Sequence, residues 1–280
     1  MPEKQFNHFI PRLILKHWEI PINENRYGVH VLDIEKDRKY IAESRGKRGF
    51  SFAAKKDLYV PRISDERRTE LEDWFSGCEG ILDKTINRIE KLDNFPLFDS
   101  TEDMNRFLLG ILSFKYRTQF NIDKVKEFLK NNQAVKNQID PSKDIDILAL
   151  ENIVNASTED FIEYSNFEMQ IYISKDESIL ICDRPFLENL IDGYSFMPLT
   201  NKIFIGLRLS QSEQSIATTI INNGLVESFN NLWACNSRKW IVADCENQLA
   251  KYEKIAKEEK QDTVEYNPVK HLTKGYEFNK

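Results

Sequence analysis

Residues Ser64–Leu92 read SDERRTELEDWFSGCEGILDKTINRIEKL, the clearest helical pattern in the 280-residue chain. Leu71, Trp74, Phe75, Cys78, Leu82, Ile86 and Ile89 recur at three- and four-residue intervals, so one face of a helix is apolar and must be buried. Ser64 can cap it, and Asp65 and Glu66 complement the positive end of the helix dipole. The spacing predicts a helix over 64–92. Gly77 and Gly80 each lower helix propensity by about 1 kcal/mol relative to Ala, which predicts close packing or a slight bend there.

Toward the C-terminus, Ser100 with Asp103 three residues on resembles a capping box and opens a second helix carrying Met104, Phe107, Leu108, Ile111 and Leu112. A third helix is expected over 123–131 and an amphipathic segment over 145–165. Between them NNQAVKNQIDPSKD (131–144) is polar and breaker-rich, and reads as a hinge or loop. The pattern then changes: 167–173, 178–182 and 201–207 read as strands. Helices around 212–230 and 246–259 are expected to flank a last strand at 239–243.

Toward the N-terminus, RYGVHVL (26–32) alternates apolar and polar residues and forms a predicted hairpin with 39–42. Pro11 suits the first turn of a short helix running to about Trp18. Helices and strands are thus segregated, which gives an α+β fold class. A helical middle packs against a small mixed or antiparallel sheet built from N-terminal and C-terminal parts. One domain is expected over 1–254, with a charged peripheral tail over 255–280.

Apolar residues make up 41% of the chain and charged residues 30%, which supports a globular core rather than disorder. A net charge of −6 gives no overall attraction to nucleic acid, so a nucleic-acid partner would need a local basic patch. Lys36–Lys39, Arg45–Arg48 and Lys55–Lys56 offer such patches, or simply a solvated hairpin. Four cysteines without CxxC spacing indicate neither a zinc site nor a disulfide framework. An interrupted apolar start and the lack of an 18-residue apolar run predict a cytoplasmic protein with no membrane partner. No NAD or P-loop nucleotide signature is present. Phe50–Phe52 and Trp233–Trp240 read either as stacking platforms or as core.

Asn7-His8-Phe9-Ile10-Pro11-Arg12 and Leu15-Lys16, then Asp57-Leu58-Tyr59 ahead of Leu71-Glu72 and Glu79, begin a series of ordered patches that resembles the bacterial family called domain of unknown function 4238. Ser113-Phe114-Lys115-Tyr116-Arg117-Thr118 is similar to its helix with a terminal Arg-Thr. Cys182-Asp183-Arg184-Pro185 stands where the family pattern usually reads Ser-Asp-Asn-Pro, followed by Met197-Pro198-Leu199 and Asn230. Lys115 stands where Gln is common. The resemblance implies a shared fold, no assigned chemistry, and an association with bacterial defence or toxin-like loci.

The candidate chemistry falls within these patches. His8 reads as a general acid or base, with Arg12 as an anion clamp; the other reading makes both structural. Glu72 and Glu79, seven residues apart, border the apolar stripe and are either drawn into a cleft or solvated. Asp183 ends a predicted strand ahead of a proline, where it serves as a catalytic acid or as a turn cap. Arg117 either holds a phosphate or complements a helix dipole, and Asn230 is a further substrate-binding candidate. The enzyme reading is a nuclease- or phosphodiesterase-like effector with His8, Glu72 and Asp183 as catalytic groups and Arg12, Arg117 and Asn230 on the substrate. A divalent metal such as Mg²⁺ is compatible with it. The alternative is a non-catalytic protein-binding or adaptor module.

Overall fold

The computed structural model describes residues 6–44, 49–56, 58–59, 62–63, 66–67, 70–91, 96–139, 143–164, 166–210 and 214–260. The chain opens with β1 (Phe6–His8), α1 (Arg12–Leu15) with a 3-10 turn (Lys16–Trp18), β2 (Ile20–Asn23), β3 (Arg26–Asp33) and β4 (Arg38–Glu43). Then come β5 (Ala54–Lys56), β6 (Arg62–Ile63) and β7 (Glu66–Arg67). The helical middle is α2 (Glu70–Lys91), α3 (Thr101–Tyr116), α4 (Gln119–Asn131), α5 (Gln133–Ile139) and α6 (Ile145–Glu163). It is followed by β8 (Phe167–Ser174), β9 (Ile181–Cys182), β10 (Leu187–Ile191), β11 (Tyr194–Pro198), β12 (Ile203–Leu209) and β13 (Ser215–Ile221). Last are α7 (Asn223–Asn236), β14 (Trp240–Ala243) and α8 (Glu246–Glu258).

The fold is α+β, and its first sheet is built from both ends of the chain. The β3–β4 hairpin pairs Gly28–Asp33 with Glu43–Arg38, and β14 lies antiparallel to β3 on the other side, with β9 beyond it. A second five-stranded sheet, in the order β10-β11-β12-β8-β13, comes wholly from the second half. It is antiparallel except for β13, which runs parallel to β8. Residues 203–207 of β12 are all buried, as expected for a central strand covered on both faces.

Three apolar clusters hold these layers. In the first, Leu82, Ile86, Phe107 and Ile111 from α2 and α3 meet Met169, Ile171 and Ile205 of the second sheet and Val29 and Val31 of the first. The second gathers Phe9, Tyr59, Phe75, Ile122 and Ile153 around α4 and α6. The third places Phe229 and Trp233 of α7 against Phe196 and Phe204, on the sheet face opposite the helical middle. Trp18 is fully buried and its Nε1 donates to the Ile179 carbonyl at 2.6 Å, fixing the N-terminal turn to the extended segment that leads to β9.

The predicted helix starting at Ser100 is present, and Ser100 Oγ accepts from the Asp103 N–H at 3.1 Å. Four expectations need correction. The long helix begins at Glu70 rather than Ser64, and Glu66–Arg67 forms β7; Ser64, Asp65 and residues 68–69 lie outside the described residues. Space is open around Gly77 and Gly80, whereas Gly110 is the close approach, since a Cβ there would come 2.9 Å from Leu82 Cδ1. The polar stretch 131–144 contains α5, a short helix that buries no residue. Finally, 212–230 is not one helix: β-branched Ser215–Ile221 forms β13, and Asn222 Oδ1 caps α7 by accepting from the Leu225 N–H at 2.9 Å. Of the expected tail, 255–258 belongs to α8 and 261–280 lies outside the described residues.

Candidate functional site

Asp183 directly follows β9, and its own N–H donates to the Trp240 carbonyl at 3.2 Å. Its Oδ1 accepts from the backbone N–H groups of Arg238, Lys239 and Trp240 at 2.9, 3.1 and 3.4 Å. One carboxylate oxygen therefore gathers the turn that carries the chain from α7 into β14. Burial pushes the carboxyl above its usual range, against the pull of these three amides and of the Arg184 guanidinium.

The loop after Asp183 is held just as firmly. Trp233 Nε1 donates to the Pro185 carbonyl at 2.9 Å, and Asn236 Nδ2 to that of Arg184 at 2.6 Å. Cys182 Sγ bonds the same Arg184 oxygen at 3.1 Å, and burial pushes the Cys182 thiol far above its ordinary range. Arg184 is buried with its guanidinium 4.4 Å over the Phe120 ring, which ties the loop to α4. Such support holds Asp183 in one orientation.

A cavity of about 250 Å³ opens beside it. Phe9 from the N-terminal segment, Phe52 and Trp240 supply aromatic walls; Gln119 enters from the start of α4. Glu35, Lys55, Asp183 and Lys239 supply the charges. A second cavity of about 220 Å³ shares Glu35, Phe52, Lys239 and Trp240 and adds Asp33, Lys36, Arg38 and Tyr40. Phe52 and Trp240, which wall both lobes, meet edge to face with centroids 4.9 Å apart. Each lies somewhat below the roughly 300–1,000 Å³ usual for a small-molecule site, and the two adjoin through four shared lining residues.

The charges in this groove differ in how they are engaged. Asp33 pairs with Lys36 and Arg38 at 3.6 Å each. Lys55, Lys239 and Glu35, by contrast, have no ion-pair partner among the described residues. The groove thus presents two lysines from different parts of the chain, three aromatic walls and a buried acid.

Of the residues singled out from sequence as catalytic or substrate-binding, only Asp183 is on this wall. Phe9, the next residue after His8, lines the cavity, but His8 itself does not. Successive residues of an extended segment point to opposite faces, and the His8 ring lies against Gly49, where a Cβ would overlap its Nε2. Gly49 has a φ of +60°, so a non-glycine residue there is strained and also forces the His8 ring to move. Arg12 packs at the same glycine, donates from Nε to Ser44 Oγ at 3.2 Å and pairs with Glu19 at 3.6 Å. His8 and Arg12 are therefore neighbours, in a separate cluster.

Arg117 is 1% exposed. It donates to Glu79 Oε1 at 3.0 Å and to the Phe9 carbonyl at 3.3 Å, and stacks on Phe114 and Phe75 at 4.3 and 4.9 Å. Its guanidinium ties α2, α3 and the N-terminal segment together. Tyr59 reinforces the junction, donating to the His8 and Arg117 carbonyls at 3.3 and 3.5 Å. Glu72 is buried in the first turn of α2 and does not line the groove. Asn230, also 1% exposed, accepts from the Leu180 N–H at 2.8 Å and donates to the Ser178 carbonyl at 2.9 Å, so it locks α7 to the segment that leads into β9.

Lys239, Glu35 and Gln119 carried no sequence signal that marked them. Lys55 belongs to one of the basic patches, and Phe52 and Trp240 to the aromatic strips; only tertiary structure brings them together. Of the other basic patches, Lys36 and Arg38 line the second lobe, and Arg45–Arg48 lies outside the described residues. Among the described residues no three His, Cys, Asp or Glu side chains group as metal ligands. No helix among them is long and apolar enough to cross a membrane.

A family model described as Protein of unknown function (DUF4238) matches residues 7–247. No curated protein and no solved structure matches the chain. The match spans both sheets, the helical middle and every residue of the groove described above.

Proposed function

The chain belongs to the DUF4238 family of proteins of unknown function, and from its geometry we propose that the groove binds a phosphodiester-bearing ligand of nucleotide size and hydrolyses it. The observation that carries this reading is the pairing of two lysines, Lys55 and Lys239, that have no ion-pair partner among the described residues, with aromatic walls and a rigid buried acid in one cavity. Lysine ammonium groups neutralise phosphate oxygens, and Phe52 and Trp240 offer apolar surface to a ring.

Asp183 supplies the acid–base chemistry. Its Oδ1 is occupied by three amides, and none of those bonds reaches Oδ2. A carboxyl whose proton affinity is raised by burial is a better base than a solvated one. In the proposed step a water oxygen forms a bond to phosphorus, Asp183 takes the water proton, and the bond to the leaving alcohol breaks. The leaving oxygen then regains a proton from Asp183. The second lobe, with Lys36 and Arg38, extends the groove for a longer strand, which accommodates the nuclease-like version of the same reading.

A non-catalytic binding module is the second reading, favoured by the full engagement of Arg117 and Asn230 within the fold. Incubation with bis(4-nitrophenyl) phosphate, diribonucleotides, RNA and DNA, in chelator and in Mg²⁺, separates the two. The enzyme reading expects turnover that Asp183→Asn lowers by roughly 100-fold or more. Binding without turnover of any substrate returns the protein to the second reading. Turnover indifferent to Asp183→Asn removes the groove from the chemistry.

A further inference from the structure

The two edges of the second sheet are built differently. At one edge β10 is irregular: its register with β11 shifts between Leu187 and Ile191, Asn189 takes a φ of 48°, and Glu188 is tied to Lys115. Bulges and charges of this kind are how proteins blunt an edge strand. At the other edge β13 runs seven residues in unbroken register along β8 and has no further strand beside it among the described residues.

Nothing in its sequence protects it. Residues 214–225 read QSIATTIINNGL, with no charge and no proline, in a chain of which 30% is charged. Ser215, Ala217, Thr218, Thr219 and Ile220 are exposed, Ile220 at 60%. Alternate residues of such a strand turn their N–H and C=O groups outward, as a template for another strand.

We propose that β13 pairs antiparallel with β13 of a second copy of this chain, joining two five-stranded sheets into one across a two-fold axis at Thr218. The strand's own composition selects this occupant. A two-fold contact sets each surface patch against its own copy, so a charged patch at the axis meets like charge, whereas the uncharged 214–225 stretch meets none. Thr218 is also the midpoint of Ser215–Ile221, so the symmetric register uses the whole strand. Thr218 then lies opposite its own copy, Ala217 opposite Thr219, and Ile216 opposite Ile220. Directly opposed residues share a face. The exposed Ile220 is thereby covered by Ile216, which already packs partly against the core. The interface is isologous and closes at two subunits.

Light scattering behind size-exclusion chromatography, with the full-length chain across the micromolar range, reads the outcome. The expected result is twice the monomer mass for the wild type and a single-copy mass for Thr218→Lys, with far-ultraviolet circular dichroism unchanged. In a Cys245→Ser background, Thr218→Cys should form a disulfide-linked dimer on mild oxidation, and Leu209→Cys at the exposed end of β12 should not. A wild type that stays monomeric overturns the proposal, as does a Thr218→Lys variant that stays dimeric. Thr218→Cys that fails to cross-link overturns it independently of how the lysine variant folds.

Discussion

Asp183 Oδ1 lies 2.9 Å from the backbone nitrogen of Arg238, 55 residues further along the chain, and the same oxygen reaches the next two amides. A single buried carboxylate thus sets the approach of α7 to β14 while lining the groove. Its removal by two routes separates the two roles. Asp183→Asn keeps an acceptor oxygen for the amides, whereas Asp183→Ala leaves them unsatisfied, at about 1–3 kcal/mol for each buried group left without a partner. Urea unfolding should rank wild type and Asn close together and Ala clearly below.

The raised proton affinity of Asp183 fixes the sign of a pH effect. Because its folded pKa lies above the unfolded one, its contribution to stability is fully present below the usual carboxylate range. It is lost as pH rises through the raised value. Thermal melts at a series of pH values should therefore show the stability of the wild type relative to Asp183→Asn falling as pH increases from about 4. If the ionised carboxylate is the base, kcat/KM rises over the same interval.

Arg117 should behave as a strut. It is buried between two rings and bonded to the partly exposed Glu79, so Arg117→Ala leaves a carboxylate and a carbonyl without their donor, at about 1–3 kcal/mol. Arg117→Lys also destabilises, because an ammonium cannot stack on Phe114 or reach both acceptors in one plane. Chemical denaturation gives the cost, and ligand affinity per folded molecule should be unchanged.

The cysteines should divide by environment. Cys245 is exposed, whereas burial pushes the Cys78 thiol up to about 11 and that of Cys182 higher still. Alkylation of the native protein near neutral pH should modify Cys245 quickly. Cys78 and Cys182 should react only after unfolding, as peptide mapping would show.

Much of the framework was legible in the sequence, because helices with one apolar face announce themselves. Ser100 with Asp103 and the periodic residues of α2 and α3 lie where spacing puts them. The α7 region misled because Ile216, Ile220 and Ile221 mimic a helical interval, although Asn222 followed by Asn223 and Gly224 marked the true start. Asp183 was visible as a strand-end acid before a proline. Its partners were not, since they are main-chain amides of residues 238–240. Nor can spacing tell which acid Arg117 meets; packing chose Glu79 over Glu72. His8 and Phe9 are adjacent, yet alternation sends one to Gly49 and the other to the groove.

The proposed function requires the groove to take an anionic, phosphodiester-bearing ligand through Lys55 and Lys239. Calorimetric titration of a diribonucleotide into the wild type and into a Lys55→Gln, Lys239→Gln double variant tests this most directly. One site per chain is predicted, weakened by salt and lost in the double variant while its melting temperature is kept. Binding that is absent from the wild type, or equally strong in the double variant, would contradict it.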